Sequence, residues 1–172
     1  MKYALLILSF CVVLFASSAA QAAGECYKQL EAEAEQGIRI HSELMVIALN
    51  CQHIHTANGK NLYTSYREFT ARNIDLFANY ETVLIDYFTR RGDGAPIDTL
   101  NNMRTNFANK ISNDAAVMRP DMFCKRYSPR ILKASDMGAA DLRKWASTIY
   151  DSHPVSRPLC ERGDISVKFG DQ

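Results

Sequence analysis

Residues 63–92 read YTSYREFTARNIDLFANYETVLIDYFTRRG. Within them Tyr63, Tyr66, Thr70, Ile74, Phe77, Tyr80, Leu84 and Phe88 recur at steps of three or four, the period of an α-helix with one apolar face. Arg90 and Arg91 suit a last turn, where the carbonyl ends of the peptide dipoles favour cations, and Gly92 can supply a left-handed stop. The spacing predicts one unbroken helix of about thirty residues, a rod about 45 Å long at 1.5 Å per residue.

The same period extends in both directions. Upstream, Tyr27, Leu30, Ala34, Ile38, Met45 and Ala48 form one row with His41 filling its gap, and Ile40, Leu44 and Ile47 form a second. Two rows make the end of this helix apolar on most sides, so it is expected at the buried centre. Asn58-Gly59-Lys60-Asn61 reads as the turn between the first two helices. Downstream of Gly94-Ala95-Pro96, a third stripe runs through Ile97, Leu100, Met103, Phe107, Ile111, Ala115 and Met118 and ends at Pro120. A short piece at Phe123 to Tyr127 follows, then a restart at Ser128-Pro129 in the N-cap and first-turn arrangement. The last amphipathic turns hold Leu142, Trp145, Ala146 and Ile149. Rods joined by short connections predict an all-α, up-and-down bundle of about four to five helices, spanning residues 23–154, with a coil-rich tail over 155–172.

Residues 1–22 have the form of a signal peptide: Lys2 near the start, an apolar run from Ala4 to Phe15, then small residues ending in Ala20-Gln21-Ala22, after which cleavage is expected. The run is too short for a bilayer span, which takes about 20 apolar residues. No cysteine stands where a lipid anchor would need one. The expected product is a periplasmic or secreted protein of 150 residues without a membrane anchor. Lys2 leaves with the leader, so 19 basic residues balance 19 acidic ones. A balanced charge argues against nucleic acid and polybasic membrane binding, which need a basic excess.

Cys11 also leaves, so Cys26, Cys51, Cys124 and Cys160 remain. An even count on an exported chain reads as two disulfides. Cys26 and Cys51 flank one helix and stand about 37 Å apart by helical rise, whereas bridged Cα atoms lie within about 7 Å. The third rod returns the chain to the Cys51 end just before Cys124. The expected bridges are therefore Cys51–Cys124 and Cys26–Cys160, the second tying the tail back to the start of the first helix.

Chemistry-bearing residues are sparse. His53 and His55, two apart beyond the first helix, could face one metal ion but lack identified third and fourth ligands; solvated loop histidines explain them as well. His41, in an apolar row beside Glu43, could act as a general base or stand as a core histidine. Glu31 and Glu35 share a helix face and could do glycosidic acid–base work, although a solvated acidic helix start is the expectation, as it also is for Glu33. The aromatic row of the second helix could line a cleft, and Tyr63 and Tyr87 are the candidates for a partner-facing surface. Arg-Gly-Asp occurs at 91–93 and 162–164, which would permit adhesion-type recognition, although the tripeptide is also an ordinary helix-stop and turn sequence. There is no Cys-x-x-Cys-His, P-loop or Gly-x-Gly-x-x-Gly, so no cofactor is expected.

The stretch Ser42-Glu43-Leu44-Met45-Val46-Ile47-Ala48-Leu49-Asn50-Cys51, followed by Tyr66-Arg67-Glu68-Phe69, resembles small uncharacterised exported α-helical proteins of Gram-negative bacteria over the first half of the mature chain. The resemblance implies an exported compartment and a helical fold and carries no catalytic residue with it. The leading expectation is a non-enzymatic module binding a protein or envelope component. The alternatives are a metal-binding protein or enzyme centred on His41 or on His53 and His55, and a periplasmic stress chaperone that exposes apolar surface in acid.

Overall fold

The computed structural model describes residues 26–160. Six helices run through them: α1 Gln29–Asn50, α2 Leu62–Arg72, α3 Ile74–Arg91, α4 Pro96–Val117, α5 Pro120–Ala134 and α6 Ala139–Ala146. The expected signal peptide and its expected cleavage point lie outside the described residues.

Helix α1 is the hub and packs against each of the other five. Its two apolar rows explain this in part: Ala34, Ile38, Ile40, Leu44, Ile47 and Ala48 are all buried. Contacts along α1 give the order of the rods. His41 meets Tyr66 and Phe77, and Glu31 pairs with Arg90, so α2 and α3 descend as α1 ascends. Arg104 pairs with Glu81, and the Arg39 guanidinium lies 4.4 Å over the Phe107 ring, so α4 ascends again. Cys124 bonds Cys51 and Arg130 pairs with Glu43, so α5 descends. The all-α, up-and-down reading holds.

Both disulfides join the expected partners, with Cα–Cα separations of 5.6 Å for Cys51–Cys124 and 4.9 Å for Cys26–Cys160. The second bridge is reinforced by backbone pairing: Tyr27 N–H donates to the Pro158 carbonyl at 2.8 Å and Cys160 N–H to the Tyr27 carbonyl at 2.9 Å. Residues 155–160 are thus not a loose tail. They form a strap along α1, with Val155 and Leu159 packed on the core.

Three expectations change. The long second helix is two helices broken at Asn73. The Asn73 side-chain amide donates to the Phe69 carbonyl at 3.0 Å and to the Met137 carbonyl at 3.1 Å. A buried Asn that serves carbonyls of two elements interrupts the helical ladder, and Ile74, in the predicted apolar row, turns out 61% exposed. Conversely, α5 does not restart at Ser128 but runs through Pro129. Phe123, Tyr127, Ile131 and Ala134 are buried at three- and four-residue steps, so one continuous apolar seam holds the helix across the bond that Pro129 cannot donate.

The acidic start of α1 is the third change, because it is not solvated. Glu31 and Glu35 are buried. Glu31 accepts from Lys28 N–H at 2.7 Å and pairs with Arg90. Glu33 accepts from the Tyr80 hydroxyl at 2.7 Å. Glu35 accepts from Arg39 at 3.3 Å, from Ser156 N–H at 2.8 Å and from the Ser156 hydroxyl. These carboxylates fasten α1 to α3 and to the strap, which is why a helix with charges at its start can lie at the centre of a domain.

Candidate functional site

One face of α1 carries Gln36, Arg39, Ile40 and Glu43, at relative positions 0, 3, 4 and 7, so all four point the same way. They form the floor of a cleft of about 620 Å³. Pro129, Arg130 and Lys133 of α5 make one wall; Trp145 of α6, Thr148 and the turn Tyr150–His153 make the other. The turn closes with His153 N–H donating to the Tyr150 carbonyl at 2.9 Å, and Gln36 Nε2 holds the His153 carbonyl at 2.7 Å.

The floor is charged and largely removed from water. Arg39 donates through Nη2 to Glu35 and, at 2.6 Å, to the Pro154 carbonyl, which docks the strap beside the cleft. Glu43 accepts from Arg130 Nη1 at 3.0 Å through Oε2. Two atoms of this floor, Arg39 Nε and Glu43 Oε1, are buried without a hydrogen-bond partner among the described residues. Buried polar atoms are nearly always satisfied, so two orphans on one floor, one a donor and one an acceptor, suit a small polar occupant.

Burial pushes the Glu43 carboxyl above the usual carboxylate range, outweighing the opposite pull of Arg130, Arg39 and Lys110. His153 is pushed down to about 4, first by burial and then by Arg130, Lys110 and Arg39. The Ser152 hydroxyl lies 2.8 Å from His153 Nδ1, and His153 Nε2 lies 3.8 Å from Glu43 Oε2. Serine, histidine and carboxylate stand in line, yet 3.8 Å is beyond hydrogen-bonding range. An imidazole of such low basicity is also poorly matched to general-base work near neutral pH. The arrangement is suited to holding a ligand.

The residues singled out from sequence fall elsewhere. His41 faces away from Glu43 and hydrogen-bonds through Nε2 with the Tyr66 hydroxyl at 3.1 Å, with its ring 4.7 Å from that of Phe77. Burial, then Arg104, lowers it to about 4. It is a partnered, partly buried histidine. His53 and His55 are exposed in the loop between α1 and α2, and among the described residues no group of three or more His, Cys, Asp or Glu is placed to hold a metal ion. Glu31 and Glu35 are each consumed by the contacts above, not presented to a common substrate.

Tyr63 is half-buried against the core. Tyr87, expected on a partner-facing surface, is instead 1% exposed, with its ring 4.6 Å from Tyr27 and 5.5 Å from Phe88. By helical spacing it stands outside the row of Tyr80, Leu84 and Phe88. Because α1 starts beside the end of α3 and Tyr27 caps the seam, that side is covered too. In the first Arg-Gly-Asp, Gly92 takes a φ of 86° at the end of α3 and Arg91 Nε donates to Asp93 at 2.7 Å, so the two charged arms engage each other. The second lies outside the described residues.

The cleft residues Arg39, Glu43, Arg130, Trp145 and His153 do not stand out as a group in the sequence. One signal is present there: Gln36, Arg39 and Glu43 make a polar stripe along a helix that is otherwise apolar on most sides. The other walls depend on how α5 and the strap pack.

No protein-family profile, curated protein or solved structure matches this chain.

Proposed function

We propose that this protein is an exported, non-enzymatic binding module that works in the periplasm or outside the cell and holds an envelope component in the cleft between α1, α5 and the turn before the strap. The export reading is supported by the leader-like first 22 residues and by two disulfides, which persist in oxidising compartments.

The observation that carries the binding reading is the pair of orphaned buried atoms, Arg39 Nε and Glu43 Oε1, on the floor of a cleft whose volume suits a small molecule or one moiety of a larger one. The frame around it is rigid: the strap is tied by a disulfide, by backbone pairing to Tyr27 and by Glu35, and the turn before it is held by Gln36 and Arg39. Such preorganisation lowers the entropic cost of binding.

Trp145 is the only tryptophan of the chain and lines the cleft, so its emission reports directly on occupancy. The test is addition of a deproteinised envelope extract to the mature protein, followed by fluorescence and thermal melting. A saturable change in Trp145 emission together with a raised melting temperature is expected. An unchanged melt and unchanged emission across all fractions of the extract would defeat the reading.

A further inference from the structure

We infer that the cleft selects a small organic carboxylate, with its anionic head between Arg130 and Lys133 above the Arg39 floor and its apolar body against Trp145, Ile40 and Pro129. The inference rests on the binding reading above and adds the chemistry of the ligand.

The charge around the cleft is unequal. Arg39, Arg130 and Lys133 line it, and Lys110 reaches its rim, where its ammonium approaches the Ser152 carbonyl at 3.5 Å. Against these four cations stand Glu43 and Asp151 among the lining groups. Glu35 compensates Arg39 from the strap side. Lys133 has no ion-pair partner among the described residues, and Arg130 commits only Nη1 to Glu43. The remaining guanidinium N–H groups of Arg130 form a planar fork that matches a carboxylate better than a spherical ion.

Glu43 does not oppose such a guest in the way an exposed carboxylate would. Its Oε2 is already engaged by Arg130 Nη1 at 3.0 Å, and burial holds the carboxyl above the usual carboxylate range. His153, held neutral by burial and by the same cations, gains basicity when an anion neutralises them. The indole of Trp145, with Ile40 and Pro129, leaves room for an apolar or flat body beside the charged end.

The experiment uses three ligands of one shape and three charges: cyclohexanecarboxylate, cyclohexylmethanol and cyclohexylmethylamine, each titrated into the whole mature protein at neutral pH and followed by Trp145 emission. Acetate and inorganic phosphate serve as anions without the apolar body. The carboxylate is expected to bind at least fivefold more tightly than the alcohol, the amine and both bodiless anions. Lys133→Gln, at an exposed position and with its folding checked by circular dichroism, is expected to weaken the carboxylate about fivefold and leave the alcohol unchanged. Glu43→Gln removes the opposing charge and is expected to keep or tighten carboxylate binding.

Alcohol or amine binding as tight as the carboxylate overturns the anionic choice. Phosphate or acetate binding as tight overturns the apolar subsite. A tenfold loss in Glu43→Gln means that Glu43 receives a donor, and overturns the placement of the anionic head beside it. A protein that answers the envelope extract but none of the three ligands disproves the carboxylate while the cleft stands as a binding site. Silence toward both removes the two readings together.

Discussion

Replacing Gly37 with alanine tests the packing on which the hub depends. Gly37 lies in the middle of α1, and a methyl group built there collides with the Tyr80 ring. Tyr80 has no room to withdraw, because it is fully buried and its hydroxyl donates to Glu33 at 2.7 Å. In an open helix, alanine would be better than glycine by about 1 kcal/mol. Against Tyr80 the added methyl costs about 1–3 kcal/mol as overpacking, and a displaced ring gives up a hydrogen bond to a charged acceptor, which contributes about 1.5–3 kcal/mol. The net loss is about 1.5–5 kcal/mol. At about 3 °C per kcal/mol for a domain of this size, the melting temperature of Gly37→Ala should fall by about 5–15 °C by circular dichroism with the disulfides intact. A double-mutant cycle separates the cause: in a Tyr80→Ala background the collision is gone, and the same alanine should stabilise by up to about 1 kcal/mol. A Gly37→Ala protein that melts at or above wild type, or an equal loss in both backgrounds, refutes the close-approach argument.

Other perturbations probe the charged contacts and the strap. Removing Glu35 (Glu35→Ala) leaves the buried Arg39 without its carboxylate and should cost about 3–5 kcal/mol in denaturant melts, whereas Glu35→Gln, which still accepts from Ser156 N–H, should cost less; equal losses would show that the charge is immaterial. His41, at about 4 in the folded state against about 6.5 unfolded, binds its proton more readily when unfolded. Its contribution is therefore fully present above pH 6.5 and is lost as pH falls toward 4, by up to about 1.4 kcal/mol per pH unit. His153 acts in the same direction, while Glu43, raised in the folded state, acts in the opposite one. Imidazole NMR titration should place His41 near 4, and a midpoint between 6 and 7 would contradict its burial against Tyr66 and Phe77. Finally, the double variant Cys26→Ser/Cys160→Ser should lower stability by about 2–4 kcal/mol and speed exchange of the backbone amides at positions 27 and 160, with Cys51–Cys124 retained on peptide mapping; protection unchanged at both amides would show that backbone pairing alone secures the strap.

The helices could be read from sequence because each one announces itself locally: apolar residues at steps of three and four, Pro96 and Pro120 at first-turn positions, Gly92 at a stop. The disulfides followed from the same information, since rod length forbids Cys26–Cys51 and the up-down-up order brings Cys124 to Cys51. Where local signals failed, a distant partner had intervened. Asn73 breaks the second rod partly by reaching the Met137 carbonyl, and Pro129 is carried inside α5 by a seam packed on the rest of the bundle.

The cleft belongs to a different class of information. Arg39 and Glu43 share a face by helical geometry alone, but Arg130 is 87 residues from its Glu43 partner and Ser156 is 121 from Glu35. Periodicity says which way a side chain points along its own helix and is silent on which helix or strap it will meet. The sequence by itself therefore determined the helical class, the up-and-down order of the apolar segments and the expected bridges between their ends, though not where the second rod breaks or where α5 begins. Tertiary packing alone decided that the acidic start of α1 is buried in ion pairs, that Tyr87 is sealed inside, and that the charged groups converge on one pocket, because burial and charge pairing are properties of neighbours in space.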